Sequence, residues 1–496
     1  MASEFDIAIV GGGGAGLMAA YSAARLGRSV IVLEKQPHLG GTTAMSVGTI
    51  CTSSTPHQKR AGIADSPDAH FEDMGRFPGS LPDRDNLALR RLLVDNVPDV
   101  FRLLGELGVE FVGPIAEPPH RVPRLHAIVP HSRGYIRSLS RACRPLGVIV
   151  RTGAPVRRLI IEDGCVHGVE IAALAGAAEI IRARCVILAS GDFSAADRAF
   201  KARFMQGPLL AIGGINPAST GDGQLLGEAA GGDIVNGDLA WGPEIRFLAP
   251  KHPKFASRLP PWRPLARMIS TAMRILPDKI LRPLLMSYVT TYLAPSHDLF
   301  REGAVLVDTR GERFCDERDS PQDKIGQAPG QQAFILLDRD IAAKFEAWPN
   351  FISTAPGVGY AYLADYRRSR RDICFAARSW EDLARATGLP AGALARTMAA
   401  YNAQCSARGR PELRRPPFFA LGPAKSWIVF TEGGLRVNER LQVLGRRGTP
   451  IGGLYAAGSA GQGGVLLEGH GHHLAWAFTS GRLAGRYAAE EAGSIG

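Results

Sequence analysis

FDIAIVGGGGAGLMAAYSAARLGRSVIVLE, residues 5–34, is the stretch that decides the fold. Phe5–Val10 is a short apolar strand, a cluster of glycines follows, and an Ala-rich helical pattern continues to about Leu26. Ser29–Leu33 is a second apolar strand with Glu34 directly after it. Strand, G-x-G-x-x-G turn, helix, second strand and acid stand in the order typical of a βαβ unit that binds a dinucleotide.

The glycines of this loop permit a tight turn and a close approach of the backbone to a pyrophosphate, and the helix N-terminus supplies amide donors. Glu34 is placed to accept hydrogen bonds from the adenosine ribose. Further glycine clusters occur near residues 40 and 458, and the chain has 58 glycines in 496 residues. These clusters predict a large ligand held against the backbone.

Composition limits the alternatives. Apolar residues make up 45% and charged residues 21% of the chain, which excludes a largely disordered protein. The net charge is +11, but the basic residues are dispersed and no aromatic RNA-reading motif accompanies them. The charge therefore favours an anionic cofactor over a nucleic-acid partner.

The seven cysteines show neither C-x-x-C nor a metal-ligand spacing, so they predict small core residues of a reducing compartment and no metal site. The acidic start runs straight into a strand, which predicts no signal peptide. No apolar run reaches the roughly 18 residues that a membrane span needs. We expect a cytoplasmic protein without a transmembrane segment.

Further elements follow from apolar periodicity and turn signals. Helices are predicted at 84–108, 134–144, 379–408 and 472–489. Strands are predicted at 148–152, 156–162, 166–171, 179–182, 185–189 and 451–456.

A composition shift divides the chain. Residues 233–355 are rich in proline, aromatic residues and arginine and show no βα alternation. We expect an α/β, Rossmann-like dinucleotide-binding domain that is discontinuous, with residues 1–232 as its first part and 356–496 as its second. Residues 233–355 then form an inserted α+β substrate or cap domain.

Two more glycine sites choose the cofactor. After Glu34 the chain reads KQPHLGGTT to Thr43, which suits a second approach to the pyrophosphate and then the ribityl chain. Near the other end, Ala456–Gly458 forms another glycine-containing junction between strand and helix. Three separated glycine sites favour FAD over a nicotinamide cofactor.

With these motifs the chain resembles, over nearly its whole length, the flavoproteins of the fumarate reductase and succinate dehydrogenase group, which includes the 3-ketosteroid dehydrogenases. The landmarks are DIAIVGGGGAG (6–16), EKQPHLGGTTAMSVG (34–48), VILASGDFS (186–194), STGDG (219–223), GAVLVDTRGERFCDE (303–317), GGLRVNE (433–439) and GGLYAAG (452–458).

The resemblance implies FAD contacts along the whole cofactor. The expected residues are Gly11, Gly13, Gly14, Ala15, Gly16, Glu34, Lys35, Gly41, Thr42, Thr43, Ser46 and Gly48, then Val156 at the adenine and Ala189, Ser190 and Gly191 beside the dinucleotide, and finally Asp222, Gly458, Ser459 and Leu474 near the ribityl chain and flavin. Ser459 departs from the family, which usually has an acid there. Members with covalent flavin carry a histidine near the position of Gly41, so we expect non-covalent FAD.

In this family a hydride moves between flavin N5 and one carbon, and an acid or base moves a proton at the neighbouring carbon. Three contacts to a dicarboxylate substrate are changed here. Gln322 stands in the place of the proton-donating arginine, with Arg318 as a substitute, while Phe430 replaces a histidine and His470 an arginine. These changes disfavour fumarate or succinate as substrate.

Desaturation of a ketone needs an electrophile at the carbonyl and a base for the α-proton. His470 is the first candidate for either role, and helix capping is its alternative. Tyr292, in the inserted domain, and Tyr360, just after it, are further candidates. The inserted domain also contains the apolar and basic stretch 264–294. That stretch is predicted to be a lid, with a dimer contact or a membrane-surface helix as alternatives.

We therefore expect an FAD-dependent oxidoreductase that desaturates the α,β bond of a hydrophobic or cyclic ketone by hydride transfer to flavin N5. The alternatives are an ene-reductase or dehydrogenase of a carboxylate substrate, similar to fumarate reductase, and a flavin-binding protein without turnover. The sequence does not identify the small-molecule substrate or the electron acceptor.

Overall fold

The computed structural model describes residues 3–77, 81–172, 178–250, 258–355 and 359–494. Its largest sheet has eight strands. Five are parallel, and their order across the sheet is Pro450–Ala456, Ala178–Leu188, Ser3–Val10, Val30–Glu34 and Ile149–Thr152. The first strand of the chain is central and the last strand joins the same parallel set, which is the arrangement expected for a discontinuous Rossmann-like domain.

The strand Ala178–Leu188 has two kinds of neighbour. Its first part pairs antiparallel with Cys165–Ala172, which pairs in turn with Val156–Glu162, and its last residues pair in parallel with Pro450–Ala456. The sequence predicted two strands here, but the intervening residues contain neither glycine nor proline and continue the extended backbone. The eighth strand, Gln442–Leu444, lies at the sheet edge.

Two helices from opposite ends of the chain pack together, Gly14–Ala24 and His472–Ser494. A Cβ atom on Gly481 would lie 2.4 Å from the carbonyl oxygen of Ala15, and one on Gly485 would lie 2.3 Å from that of Ala19. Only glycine allows this contact, because any side chain at these two positions would collide with the first helix.

Other predicted helices are confirmed with shifted ends, at Leu87–Glu106 and Arg133–Cys143. The predicted helical segment 379–408 is two helices, Trp380–Thr387 and Ala391–Gln404, because Gly388 turns left-handed at φ +79° and Pro390 follows. Among the described residues, the remaining α-helices on the first part of the chain are Gly41–Met45, Pro56–Arg60, Pro67–Met74, Arg198–Lys201 and Asp222–Ala229.

Apolar side chains form two main cores among the described residues. The first surrounds the eight-stranded sheet and also covers a small sheet of Thr49–Cys51, Leu125–Val129 and Glu110–Ile115. The second draws on residues from Ile245 to Ala424. Its packing therefore continues past the predicted boundary at residue 355, and the division into 1–232, 233–355 and 356–496 stays a prediction.

The second core is built on a five-stranded antiparallel sheet of Glu244–Phe247, Phe418–Trp427, Ala333–Leu337, Val305–Asp308 and Cys374–Ala377. Three small sheets accompany it: Ala294–Pro295 with Ser353–Ala355 and Gly359–Ala361, Ile234–Val235 with Gly434–Leu435, and Ala240–Trp241 with Phe430–Thr431. Its helices are His297–Arg301, Pro321–Ile325, Arg339–Lys344 and Leu363–Ser369.

The stretch 264–294 contains two helices that connect the cores. Arg263–Ile275 lies on Glu110–Ile115 of the first core, where Arg267 Nε donates to Glu110 Oε1 at 2.9 Å. Asp278–Val289 packs against Leu363–Ser369 of the second core. Within the described ranges, every helix is too short or too polar to span a bilayer.

Candidate functional site

The glycine loop after the first strand joins three elements at very short range. Gly11 has φ +111°, and a Cβ atom there would lie 2.4 Å from the carbonyl oxygen of Ala189 on the neighbouring strand. A Cβ atom on Gly16 would lie 1.9 Å from the carbonyl oxygen of Gly11. These two glycines are needed for packing of the strands and the first helix, as the fingerprint requires.

Other glycines of the same region are less closely packed, and a Cβ atom on them would meet its neighbours at ordinary van der Waals distance. For a Cβ atom on Gly13, Gly41 or Gly191, the nearest neighbouring atom would be 3.9, 3.5 and 3.9 Å away, respectively. The helix that begins at Gly14 has no side-chain cap on its N-terminus. Backbone without side chains and the first turn of this helix form a cradle that fits a pyrophosphate, although the Gly14 amide is bonded to Thr43 Oγ1 at 3.2 Å.

Glu34 lies at the end of the second strand with its side chain buried. Its two oxygens accept hydrogen bonds from the backbone amides of Gly12 and Gln36, each at 2.8 Å. The carboxylate is thereby fixed at the wall of a cleft. The cleft is lined by Val10, Gly11, Leu33, Glu34, Lys35, Ala154, Val156, Ser190 and Asp222.

Lys35 connects this cleft to a distant segment. Its Nζ donates to Thr220 Oγ1 at 2.5 Å and to Asp222 Oδ2 at 2.8 Å. Asp222 opens a helix whose second residue, Gly223, donates its amide to Ser190 Oγ at 2.8 Å. Predicted cofactor residues from three parts of the chain therefore lie along one cleft.

The second glycine site is a short helix, Gly41–Met45, placed against the first loop. Thr43 Oγ1 accepts from the Gly14 amide at 3.2 Å, and Thr42 Oγ1 accepts from Asn216 Nδ2 at 2.8 Å. Ser46 Oγ donates to the Thr43 carbonyl oxygen at 2.8 Å, and the Gly48 carbonyl oxygen accepts from Tyr135 at 2.8 Å.

The third glycine site comes from the far end of the chain. Gly458 has φ +61°, and a Cβ atom there would lie 3.0 Å from Ala15 Cβ. Its amide donates to Ser480 Oγ at 2.9 Å, and its carbonyl oxygen accepts from Trp476 Nε1 at 3.1 Å. Ser459 follows in the same turn, and Leu474 lies in the first turn of the last helix. The two ends of the chain thus meet beside the cradle, and the residues present fit a bound FAD.

His470 lies just before the last helix and is held by a buried carboxylate. Its Nδ1 is 2.6 Å from Glu117 Oε1, and its backbone amide donates to the same carboxylate at 3.0 and 3.2 Å. Glu117 is 3% exposed and His470 is 24% exposed at the side chain. A hydrogen on Nδ1 donates to Glu117, so Nε2 is left as an acceptor that can take a proton.

Aromatic rings surround this pair. Trp241 lies with its ring centroid 6.0 Å from that of His470 and 5.5 Å from that of Phe430. Phe430 packs on His473, whose Nε2 is 3.3 Å from Glu432 Oε1. The surroundings of His470 are therefore apolar on the side of the two aromatic residues.

The other predicted catalytic residues lie in different surroundings. The backbone carbonyl oxygen of Gln322 accepts a hydrogen bond from Ser426 Oγ at 2.6 Å. Its side-chain oxygen Oε1 is buried with no partner among the described residues. Arg318 is 45% exposed and bonds Asp316 at 2.9 Å, so it is the weaker of the two predicted donors.

The two predicted tyrosines make different contacts. The Tyr292 carbonyl oxygen accepts a hydrogen bond from Arg246 of the second core. Tyr360 is 36% exposed and packs with Trp348 and Tyr362. Tyr360 thus belongs to a surface aromatic group, whereas Trp241 contacts His470 and Phe430 contacts Trp241.

Sequence reasoning missed Glu117 and a buried group of ligand-type side chains, Cys51, His70, His120 and His472. Burial lowers the pKa of His120 to about 4 and that of His472 to about 3, so both rings are neutral near pH 7. No motif signals either set, because each residue comes from a separate segment.

This chain is similar to known FAD-binding oxidoreductases in sequence and in fold. The sequence model of the FAD binding domain family matches residues 6–251 and 289–467. A probable fumarate reductase of Shewanella frigidimarina is 27% identical, with 98% of this chain and 75% of that protein covered. A 3-oxosteroid 1-dehydrogenase of Mycobacterium tuberculosis is 25% identical, with 99% of both chains covered. The open conformation of a flavocytochrome c3 fumarate reductase superposes with a TM-score of 0.71 at 24% identity, covering 99% of this chain and 79% of that one.

Proposed function

Because this chain belongs to the FAD binding domain family, we propose that it is an FAD-dependent oxidoreductase that desaturates the α,β bond of a hydrophobic or cyclic ketone. Both relatives are oxidoreductases by name, and one is named for a steroid ketone. The observation that carries the proposal is the His470–Glu117 pair under an apolar wall. An apolar wall of this kind binds a hydrophobic ring system more favourably than a dicarboxylate.

The proposed cofactor contacts follow from the cradle. Three observations support a pyrophosphate and ribose site at the first loop. They are the loosely packed glycines Gly13, Gly41 and Gly191, the first turn of the helix Gly14–Ala24, and the fixed carboxylate of Glu34. The junction at Gly458 supports a place for the flavin end, since it meets the first helix beside the cradle. Gly41 has no side chain to form a bond, which supports non-covalent FAD.

In the proposed reaction, bound FAD supplies the hydride acceptor. His470 Nε2 takes the proton from the carbon next to the carbonyl, and Glu117 fixes the tautomer and orientation of the ring. Trp241 and Phe430 cover the pair and exclude water from the substrate's apolar face.

Gln322 is our candidate for the group that polarises the substrate carbonyl. Only its Nε2–H can donate to a carbonyl oxygen, and Nε2 makes no hydrogen bond to the other described residues. Its neighbour Ser426 pairs with Ile245, next to Glu244, which accepts from Trp241 Nε1 at 2.7 Å. This chain of contacts supports a place close to His470.

The deciding experiment mixes oxidised holoenzyme rapidly with saturated cyclic ketones and reduced holoenzyme with enones and with fumarate. We expect flavin bleaching by at least one saturated ketone and recolouring by the matching enone. Recolouring by fumarate alone would support the carboxylate alternative. A flavin spectrum unchanged by the whole panel would remove the enzyme proposal.

We further propose a cytoplasmic location, supported by seven unpaired cysteines. The helix Arg263–Ile275 and the residues beside it present exposed apolar side chains, Trp262, Met268, Ile275 and Ile280, among arginines. This combination supports peripheral contact with an anionic membrane surface.

A further inference from the structure

Four ligand-type side chains from separate segments converge inside the first core. Cys51 ends a short strand, His70 lies in the helix Pro67–Met74, His120 lies in the loop after Glu110–Ile115, and His472 begins the last helix. All four are buried, and their ligand atoms lie within 4.8 Å of one another. We call these residues the Cys-His cluster.

Three of the six distances between ligand atoms of the cluster match the edges of a tetrahedron, and the other three are within 4.8 Å. Cys51 Sγ is 3.4 Å from His120 Nε2 and 3.6 Å from His70 Nε2, while His70 Nε2 is 3.1 Å from His472 Nε2. Zinc bonds of about 2.0–2.1 Å to nitrogen and about 2.3 Å to sulfur imply edges of roughly 3.3 Å between nitrogens and roughly 3.5 Å between sulfur and nitrogen. The three short edges therefore have the lengths that a four-coordinate ion requires.

The hydrogen bond of His472 to the backbone leaves a nitrogen lone pair of its ring directed toward the other cluster residues. His472 Nδ1 donates to the carbonyl oxygen of Glu468, which leaves Nε2 of the neutral ring as an acceptor. His70 Nε2 faces this acceptor, and His70 Nδ1 is buried without a partner among the described residues. A cation bound by both Nε2 atoms lets His70 carry its hydrogen on Nδ1.

A buried group of charged side chains borders the cluster at His120. Arg124 is buried and bonds both Asp65 and Asp73, each of which is also buried at the side chain. Its Nη1 donates to His120 Nδ1 at 3.0 Å, while Asp73 Oδ2 is 4.0 Å from the same nitrogen. Coordination through His120 Nε2 places the ring hydrogen on Nδ1, so binding requires Arg124 Nη1 to move away from this nitrogen and Asp73 to approach it within hydrogen-bond distance.

We propose that the Cys-His cluster binds one Zn²⁺ ion as a closed structural site. Binding exchanges the Cys51 thiol proton, which is released to solvent, for a zinc–sulfur bond, and the three imidazoles bind as neutral ligands. Four protein ligands leave no open position, so the ion has no substrate to activate. The expectation of no metal site came from spacing along the chain, which cannot register ligands from four segments.

The ion would clamp the two loops that carry the His470–Glu117 pair. His120 is three positions after Glu117 and donates its amide to the Glu117 carbonyl oxygen at 3.0 Å. His472 is two positions after His470. The Cys51 amide donates to the carbonyl oxygen of the intervening Gly471 at 3.3 Å. The inference stands apart from the proposed reaction, because it rests on the cluster geometry alone.

The test measures metal content in the purified holoenzyme, without turnover. Protein is incubated with Zn²⁺, freed of excess metal by gel filtration and analysed by plasma mass spectrometry. We expect about one zinc ion per chain in the natural protein, and a fall to about a tenth or less in Cys51→Ser and His70→Asn. Cys143→Ser and His126→Asn are matched controls, since both alter buried residues of the same core outside the cluster, and they should retain the ion.

Cobalt provides a second readout that needs no variant. Co²⁺ added to the natural protein should give the intense visible bands of a tetrahedral thiolate site, recorded to the red of the flavin absorption. Natural protein that retains no zinc and gives no tetrahedral cobalt spectrum would overturn the proposal. Equal zinc content in Cys51→Ser and Cys143→Ser would overturn it too.

Discussion

His470 and Glu117 are 353 positions apart in the chain, and Nδ1 of the first lies 2.6 Å from a carboxylate oxygen of the second. The carboxylate also accepts the backbone amide of His470, so one buried side chain fixes both the ring and the loop that carries it. A base that is held in this way can meet substrate with a single tautomer.

His470→Asn should lower kcat by about 10²-fold or more, because the proposed proton acceptor is lost, while the protein stays yellow. Glu117→Gln should lower kcat by about the same factor, because the ring loses its orienting carboxylate. The double variant should be no worse than the worse single variant, since the two act as one unit. Glu110→Gln, on the surface beside Arg267, is the control. Additive losses in the cycle would show that the two residues act separately.

Glu34→Ala should weaken FAD binding by about tenfold to a hundredfold. The change removes the carboxylate that is expected to accept from the adenosine ribose, and a hydrogen bond to a charged group contributes about 1.5–3 kcal/mol. It also removes the acceptor for the amides of Gly12 and Gln36, which shape the loop. Ultrafiltration followed by absorbance of the released flavin measures the effect. The exposed Glu162→Ala should retain its flavin, and equal retention in both variants would remove Glu34 from the cofactor site.

Gly16→Ala should prevent accumulation of soluble protein, because the new methyl group would lie 1.9 Å from the Gly11 carbonyl oxygen. Gly105→Ala is the matched control. No neighbouring atom lies within 4 Å of its Cβ position in the helix Leu87–Glu106, so it should raise stability by up to about 1 kcal/mol. Thermal unfolding followed by circular dichroism measures both. A Gly16→Ala protein that melts like the natural one would contradict the packing described here.

Glu468→Gln should stabilise the protein at neutral and alkaline pH. Burial raises the pKa of this carboxyl from 4.5 to about 7, and its Oε2 has no partner among the described residues. The folded state therefore holds the proton more tightly than the unfolded state, so stability falls as pH rises from about 4.5 to about 7. The gain from the amide should be near zero below this window. Above it the full shift corresponds to about 3.4 kcal/mol, which solvent screening of this half-buried group reduces to about 1 kcal/mol. Urea unfolding at pH 4 and pH 8 checks the sign, and a gain at pH 4 alone would contradict it.

Trp262→Ser combined with Ile275→Ser should reduce sedimentation with anionic lipid vesicles without changing flavin content. Both side chains are more than half exposed, at 54% and 74%, so their removal leaves the cores intact. Neutral vesicles provide the control, because the adjacent arginines contribute only with anionic lipid. Equal sedimentation of natural and variant protein would remove the membrane contact.

The cofactor half of the site could be predicted because its signals are local. Gly11, Gly16 and Glu34 stand within one βαβ unit, and their spacing follows from the backbone geometry that a pyrophosphate needs. The catalytic surroundings could not be predicted to the same depth. Glu117 belongs to no motif, and its role depends on a contact with His470, which is 353 positions away in the chain.

Local signals also explain the errors in the elements. Two strands were predicted where Ala178–Leu188 is one, because a change of pairing partner from antiparallel to parallel leaves no mark in the residues. The helix break at Gly388 and Pro390 is visible in the sequence, but the apolar periodicity on both sides of it outweighed that signal.

The contact of Gly481 and Gly485 with the first helix has a consequence for biosynthesis. On the ribosome the first strand and helix emerge first, and the helix that covers them is made last. The alanine-rich surface of Gly14–Ala24 therefore waits, partly uncovered, until nearly the whole chain has been translated. A product that stops before Gly481 leaves that surface exposed, which makes prematurely terminated chains prone to aggregation and ready substrates for proteolysis.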